Sequence, residues 1–458
     1  MSSLTPLRVA VIGSGPAGIY AADALTRQNR ETVAVDVLDR LPTPYGLVRY
    51  GVAPDHTKIK GVARTLRGVL EHPGVRFIGG VEFGRHIGRD DLARAYDAVI
   101  YATGASVDRR LDVPGEDLAG SVAATDFVNW YCGHPDTEVE RFLLDTEEVA
   151  VVGAGNVALD VTRILAKSAE ELSATDIPQP MLDVLAASKI RRIHLLARRG
   201  PLQAKFTAPE LKDLGALDNA DVVVRPEQVD IDPNSEAMLG AARAARTNLR
   251  ILREWAERPF EGKPRRIDLR FWTRPVAILG EDRVTGLRVE NTTLDTEGRL
   301  VGTGEHETLD VGMVFRSIGY MGVPLAGVPF DGTARTVPHT GGRVLGSGGN
   351  VLPGQYAAGW IKRGATGVIG TNKSDAAATV RALLDDAPEL RAARGGAEPE
   401  PVEQVLQGSG AIVSDYADWL AIDAAEADRA AALGRGERVK LLGWDEFYDA
   451  MGALRANG

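Results

Sequence analysis

Two short stretches hold residues that could bind an anion through backbone alone. In "VAVIGSGPAGIYAADAL" (Val9 to Leu25) the spacing is Gly13, Gly15, Gly18; in "VAVVGAGNVALDVTRIL" (Val149 to Leu165) it is Gly153, Gly155, Ala158. A strand entering a helix through Gly-x-Gly-x-x-Gly/Ala leaves the first helical N–H groups pointing into the turn, where the helix dipole favours a phosphate. The first glycine permits the tight turn, the second lets a pyrophosphate lie on bare backbone, and the third small residue lets helix and strand pack closely. One such turn is a weak signal. Two of them, each after an apolar run and each opening a helical pattern, point to two dinucleotides.

The end of the next strand separates the two nucleotides. After the first helix, "TVAVDVLDR" places Asp39 about twenty residues past the glycines, where a carboxylate takes ribose hydroxyls; the bland alternative is a solvated strand end. After the second helix, "IRRIHLLARRG" ends in Arg198 and Arg199 instead of an acid. Adjacent arginines are often plain surface charge. At this position they suit a 2′-phosphate, bound by charge-assisted and bidentate bonds, and so NADPH over NADH. The gap from Gly155 to Arg198 is about twice the usual spacing, which makes "AKSAEELSATDIPQPMLDVLAAS" an insertion, expected to be helical and surface-lying.

These turns need elements to hold them. "YDAVIYATGA" reads as a further apolar strand ending beside a cofactor, "VRFIGGVEFG" as a short strand pair, and "AATDFVNWY" as a helix before the second fingerprint. From Ile267 to Gly319 the text is β-rich, and "MVFRSIGY" closes the second nucleotide region. "GQYAAGWIKRGATGVIGTNKSDAAATVRALL" is a strand running into a long helix. The fold class expected is α/β, with two Rossmann-like, three-layer ββα dinucleotide-binding domains, one inserted into the other. The divisions are 1–106 and 324–386 for the interrupted domain and 107–323 for the inserted one. Residues 387–458 read as an Ala/Pro/Glu-rich linker and a helical extension packing back through Trp419.

Composition bounds the rest. The chain has 458 residues, enough for two or three cored domains, and its net charge of −10 argues against wholesale nucleic-acid binding. The single Cys132 excludes an internal disulfide, a Cys-x-x-Cys pair and a cysteine-ligated iron–sulfur cluster within this sequence. No metal is expected. No apolar run reaches membrane-spanning length, and "MSSLTPLRV" has no signal-peptide core, so the expectation is a cytoplasmic protein with no membrane insertion.

Longer motifs then resemble one family. "LPTPYGLVRYGVAPDHTKIK" (Leu41 to Lys60), "GNVALDVTRIL", "ARRGPLQAKFTAPEL" and "GWIKRGATGVIGTNKSDA" occur in order along the chain. Together they resemble the adrenodoxin-reductase type of NADPH–ferredoxin reductase, which includes actinobacterial FAD-containing enzymes. The resemblance implies FAD at the first turn and NADPH/NADP+ at the second, with hydride passing to the flavin and single electrons passing to a ferredoxin. That partner would be an acidic iron–sulfur protein supplying oxidases such as cytochromes P450, and the reductase a monomer or weak dimer.

For FAD the resemblance points to Ala17 at the pyrophosphate, Asp39 on the ribose, Leu47 and Phe83 lining the site, and Trp360 with Gly367, Val368 and Ile369 near the ring. For NADPH it points to Arg109, Asn156, Val157, Ala158, Leu159, Arg198, Arg199 and Glu210, with Gly367 near the nicotinamide. His56 in "APDH" matches a family active-site histidine. Its glutamate partner is Asp213 here, a shorter side chain that leaves a direct contact open to question. A basic patch of Arg49, Lys58, Lys60, Lys362 and Arg363 is the expected docking surface for the acidic partner. A nucleotide sensor that binds without turnover stays open. A flavin monooxygenase lacks its linking signature here, and a glutamate-synthase-like subunit would need cysteines that are missing.

Overall fold

The opening run "LRVAVI" buries side chains on both of its faces: Leu7, Val9 and Val11 enter one apolar cluster while Ala10 and Ile12 enter another. Such a strand belongs at the centre of a covered parallel sheet. In the computed structural model, which describes residues 5–231 and 243–452, that is where it lies. The chain forms two units, Met1–Val107 with Tyr320–Gly458, and Asp108–Gly319.

Among the described residues the first unit has a seven-stranded sheet. Its order is His339–Thr340, Arg343–Leu345, Val351–Ala357, Ala98–Tyr101, Leu7–Ile12, Val33–Leu38, Val75–Ile78. Leu7–Ile12 pairs parallel with Val33–Leu38 on one side and Ala98–Tyr101 on the other, so Gly13 sits at the switch point where α/β sheets bind ligands. Helices Pro16–Arg27, Ala63–Leu70 and Thr371–Arg394 cover one face through Ile19, Leu25, Leu66, Leu70, Val380 and Leu383. The other face packs on Val328, Val337 and Ile361.

Among its described residues the second unit repeats the plan with six parallel strands ordered Ser121–Ala123, Met313–Arg316, Glu148–Val152, Arg192–Leu196, Arg265–Arg270, Ala220–Val224. An antiparallel sheet of Thr273–Leu279, Gly286–Leu294 and Leu300–Leu309 lays Ile278, Leu287, Val289 and Leu309 on Ala150, Val152, Leu196 and Val314. Helix Asn156–Ala166 is buried along most of its length.

Three local expectations change. "VRFIGGVEFG" is not a strand pair: only Val75–Ile78 is a strand, parallel to Val33–Leu38, and Gly79 bridges to Ser414 instead. Gly80 turns the chain at φ +75°, where an added Cβ would lie 2.0 Å from the Ile412 carbonyl. The insertion is helical, as Ala169–Ser173 and Gln179–Ala186, but it is not merely surface-lying, because Leu172, Ile177, Met181 and Leu185 are buried. Lastly, the long helix runs to Arg394, through residues read as linker, with Pro388 inside it. Proline removes one helical N–H, which frees the carbonyl four residues back. That carbonyl, Leu384 O, accepts from Arg30 at 3.3 Å, while Ala387 and Leu390 anchor the helix in the core.

Candidate functional site

The first turn is shaped by contacts that only glycine allows. Gly13 has φ +106°, and a Cβ there would lie 2.6 Å from the Ala102 carbonyl; one on Gly18 would lie 1.9 Å from Gly13 O. Gly15 differs: its nearest neighbour would be Gly46 Cα at 4.0 Å. Protein packing therefore does not require glycine at position 15, whereas a pyrophosphate against the backbone would. Helix Pro16–Arg27 starts there with no side-chain cap and no acid in its first turn, so the positive helix end is left for an anion.

A loop and a helix start close around this turn. The backbone N–H of Tyr45 donates to Ser14 O at 3.0 Å, and a Cβ on Gly46 (φ +49°) would lie 2.9 Å from Gly15 Cα. Leu47, next in the chain, is 38% exposed. On the other side a Cβ on Gly359 would lie 2.5 Å from the Ala17 side chain, and Gly359 N–H donates to Asp375 Oδ2 at 2.6 Å. This brings Trp360 beside Ala17; its ring stacks on Tyr320 at 5.7 Å and its Nε1 donates to Thr366 O. Gly367 (φ +83°) and Val368 are exposed, and Ile369 is half-buried. Phe83 packs edge-on against Tyr101, next to Ala102.

Asp39 does more than await a ribose. Its Oδ2 accepts from Ser14 N and Ser14 Oγ at 2.7 and 2.6 Å, and its Oδ1 accepts from Leu41 N at 3.0 Å. A carboxylate has about four acceptor positions, so it can tie the strand end to the turn and still take one more hydroxyl.

The second turn has the same anatomy. Gly153 N–H donates to Leu196 O at 2.9 Å, as Gly13 N–H does to Leu38 O at 2.8 Å. A Cβ on Gly153 would lie 2.1 Å from Ser317 O, while one on Gly155 would meet nothing within 4 Å. Helix Asn156–Ala166, holding Val157, Ala158 and Leu159, again opens without a side-chain cap or an early acid. The covering loop here is "RRGPLQAKFT": Lys205 N–H donates to Ala154 O at 2.8 Å, and Thr207 N–H to Asn156 Oδ1 at 2.9 Å. Arg198 and Arg199 project exposed from the end of Arg192–Leu196, their carbonyls held by Thr292 Oγ1 and Trp272 N. Arg109 is also exposed, and its N–H donates to Gly319 O.

Glu210, which the resemblance assigns to NADPH, is buried and lies 3.7 Å from Arg163; Arg163 in turn pairs with Asp160 at 2.9 Å. His56, in the first unit, is the half-buried N-cap of helix Thr57–Lys60. Asp213, in the second, is exposed on helix Ala208–Gly215.

The pyridine nucleotide-disulphide oxidoreductase model matches residues 7–227. The chain is 44% identical to the NADPH-ferredoxin reductase FprA of Mycobacterium tuberculosis, covering 97% of this chain and 99% of that protein. It belongs to the NADPH–ferredoxin reductase family. The mitochondrial NADPH:adrenodoxin oxidoreductase of Arabidopsis thaliana is 37% identical over 98% of this chain and 96% of that one. The solved structure of Mycobacterium tuberculosis FprA in complex with NADPH superimposes with a TM-score of 0.91 at 41% identity, covering 98% of this chain and all of that one.

One expectation for this family member fails. Arg49 is 6% exposed and paired with Glu426, while Lys362 and Arg363 both bond Asp375, so these three do not form an open docking surface. Lys58 remains exposed and Lys60 half-buried. A different basic row stands on helix Arg243–Ala256: Arg243, Arg246, Arg250 and Arg253 are exposed and spaced to share one face, with Arg250 also paired to Glu254 at 2.5 Å. The opposite face buries Leu249, Leu252 and Trp255. This row lies outside the four family motifs, so only its i, i+3, i+7, i+10 spacing marks it in the sequence.

Proposed function

We propose that this protein is a flavoenzyme that takes hydride from NADPH and delivers single electrons to a ferredoxin. The observation that carries the reading is the pair of glycine turns, each covered by its own loop, with Arg198 and Arg199 beside only the second. The name shared by the relatives supports it. The first turn, with Asp39, Leu47, Phe83, Trp360 and Gly367 to Ile369, would hold FAD. The second, with Arg109, Asn156, Arg198, Arg199 and Glu210, would hold NADPH.

Bound there, NADPH supplies a hydride and FAD a two-electron acceptor that can be emptied one electron at a time. The chain's own part is to bind, orient and shield. The uncapped helix ends at Ala17 and Val157 neutralise pyrophosphate charge. The arginines select the phosphorylated nucleotide. His56 and Asp213 belong to this proposal as polar groups for the reacting end, along with Gly367 for the nicotinamide. The partner is read as an acidic ferredoxin steered by the Arg243 to Arg253 row, and the enzyme as a cytoplasmic monomer or weak dimer.

The test is optical. Purified protein should carry a visible flavin spectrum that NADPH bleaches quickly in the absence of oxygen and NADH bleaches slowly. A protein without flavin, or with a flavin that NADPH leaves oxidised, would reject the proposal.

A further inference from the structure

The loop over the first glycine turn is gripped from the far end of the chain. Arg49, three residues past Gly46, is buried and forms a two-pronged bond to Glu426, with Nη1 to Oε2 at 3.0 Å and Nη2 to Oε1 at 2.5 Å. Glu426 lies on helix Tyr416–Leu433 and is 0% exposed. The Arg49 guanidinium sits 5.0 Å from both the Tyr50 and Trp419 rings. Its main chain is held too: Lys440, 1% exposed, donates Nζ to Arg49 O at 2.7 Å. Leu441 N–H donates to Glu426 Oε1 at 3.0 Å, and Val439 N–H to Glu426 O at 3.0 Å. Tyr45, at the turn itself, packs edge-on against Trp419 at 5.8 Å.

A buried ion pair is a poor device for stability, because desolvating both charges offsets most of their attraction and apolar residues often serve as well. What this one provides is geometry. The planar fork on Glu426 holds both Nη atoms, two rings flank the guanidinium, and a lysine holds the main chain. Arg49 N–H and Tyr50 N–H both donate to Gly46 O at 3.0 Å, so a shift of Arg49 moves Gly46 against Gly15.

We propose that Glu426, acting through Arg49, is a positioning residue for the flavin site: the C-terminal segment 416–441 sets the height of loop 42–50 over the first glycine turn. The proposal rests on the assignment of FAD to that turn. Neither residue is asked to touch the reacting atoms.

The test uses the FAD-loaded full chain with Glu426→Gln, Arg49→Lys, and the apolar pair Arg49→Met with Glu426→Leu. A misplacement of about 1 Å in a positioned site can cost tenfold or more. FAD release after dilution should therefore quicken about tenfold in Glu426→Gln and in the apolar pair, and less in Arg49→Lys, which keeps the charge. The visible circular dichroism of the bound flavin should change with it. The apolar pair removes both charges together but also takes the acceptor from Leu441 N–H, so its thermal midpoint should fall somewhat, and release is compared at temperatures equally far below each variant's midpoint. Unchanged release and dichroism in the folded variants, or release that only tracks loss of thermal stability, would overturn the proposal. A wild-type protein that carries no flavin would instead reject the assignment beneath it.

Discussion

The backbone N–H of Tyr45 donates to the carbonyl of Ser14, the middle residue of the first Gly-x-Gly, at 3.0 Å. Lys205 makes the same bond to Ala154, the middle residue of the second, at 2.8 Å. In both units the loop after the neighbouring strand folds back and pins the turn through the carbonyl of its middle residue. The turn's remaining N–H groups are then aimed by protein on both sides, which preorganises an anion site before any anion arrives.

The glycines of one turn should separate by role. Gly153→Ala would force a Cβ to within 2.1 Å of Ser317 O, so it should lower the thermal midpoint of the protein. Gly155→Ala meets no protein atom within 4 Å and should leave the midpoint unchanged while weakening NADPH binding tenfold or more, by about 1.4 kcal/mol or above. Calorimetry and nucleotide titration of both variants check this. Intact NADPH affinity in Gly155→Ala would remove the phosphate from that position.

Nucleotide choice should follow Arg198 and Arg199, whose side chains are exposed. Replacing both with alanine removes charge-assisted bonds of roughly 1.5–3 kcal/mol each. NADPH should lose about two to four decades of kcat/KM, as that energy converts at about 1.4 kcal/mol per decade, while NADH changes little. Equal losses for the two nucleotides would show that the arginines hold something else.

A carboxyl near the second unit's first helix should titrate close to neutrality. Burial pushes Asp108 up to about 7 and Asp126 adds to the rise, against a hydrogen bond from Thr125 N at 3.1 Å and the charge of Arg316. The folded state thus keeps a proton that the unfolded chain loses near pH 4, to within about a unit. This contribution is complete at low pH, falls as pH rises through about 7, and is constant above it. Asp108→Asn should flatten that part of the thermal midpoint against pH and raise the midpoint at alkaline pH. A profile identical to wild type would place the titration elsewhere.

Electron delivery should be sensitive to salt. Arg243, Arg246, Arg250 and Arg253 share one exposed helix face on a chain of net charge −10. Steering by such a row is screened beyond about 10 Å at 0.1 M salt. Turnover at limiting ferredoxin should fall steeply with ionic strength, and reduction by saturating NADPH should not. Glutamate at positions 246 and 253 should flatten the dependence. Turnover indifferent to salt would rule out the row as the docking surface.

The glycine spacing, the apolar strands before it and the arginines after it were all legible, because each rests on contacts a few residues apart or on a strand–turn–helix rule. Asp39 was legible as a position and incomplete as a role, since its bonds to Ser14 span 25 residues. Arg49 was misread as surface charge. Its partner Glu426 is 377 residues away, and no local pattern reports a pairing at that range. The same holds for Pro388, which reads as a helix breaker unless Arg30 is known to meet the carbonyl it frees.

The central claim is that NADPH feeds a flavin whose electrons leave singly, and its most direct measurement is an electron count. With oxygen excluded, limiting NADPH, purified protein and excess oxidised ferredoxin should yield a pair of reduced ferredoxins for every NADPH consumed, with cytochrome c reduction appearing only when ferredoxin is present. NADPH consumed without reduced ferredoxin, or cytochrome c reduced equally well in its absence, would contradict the account.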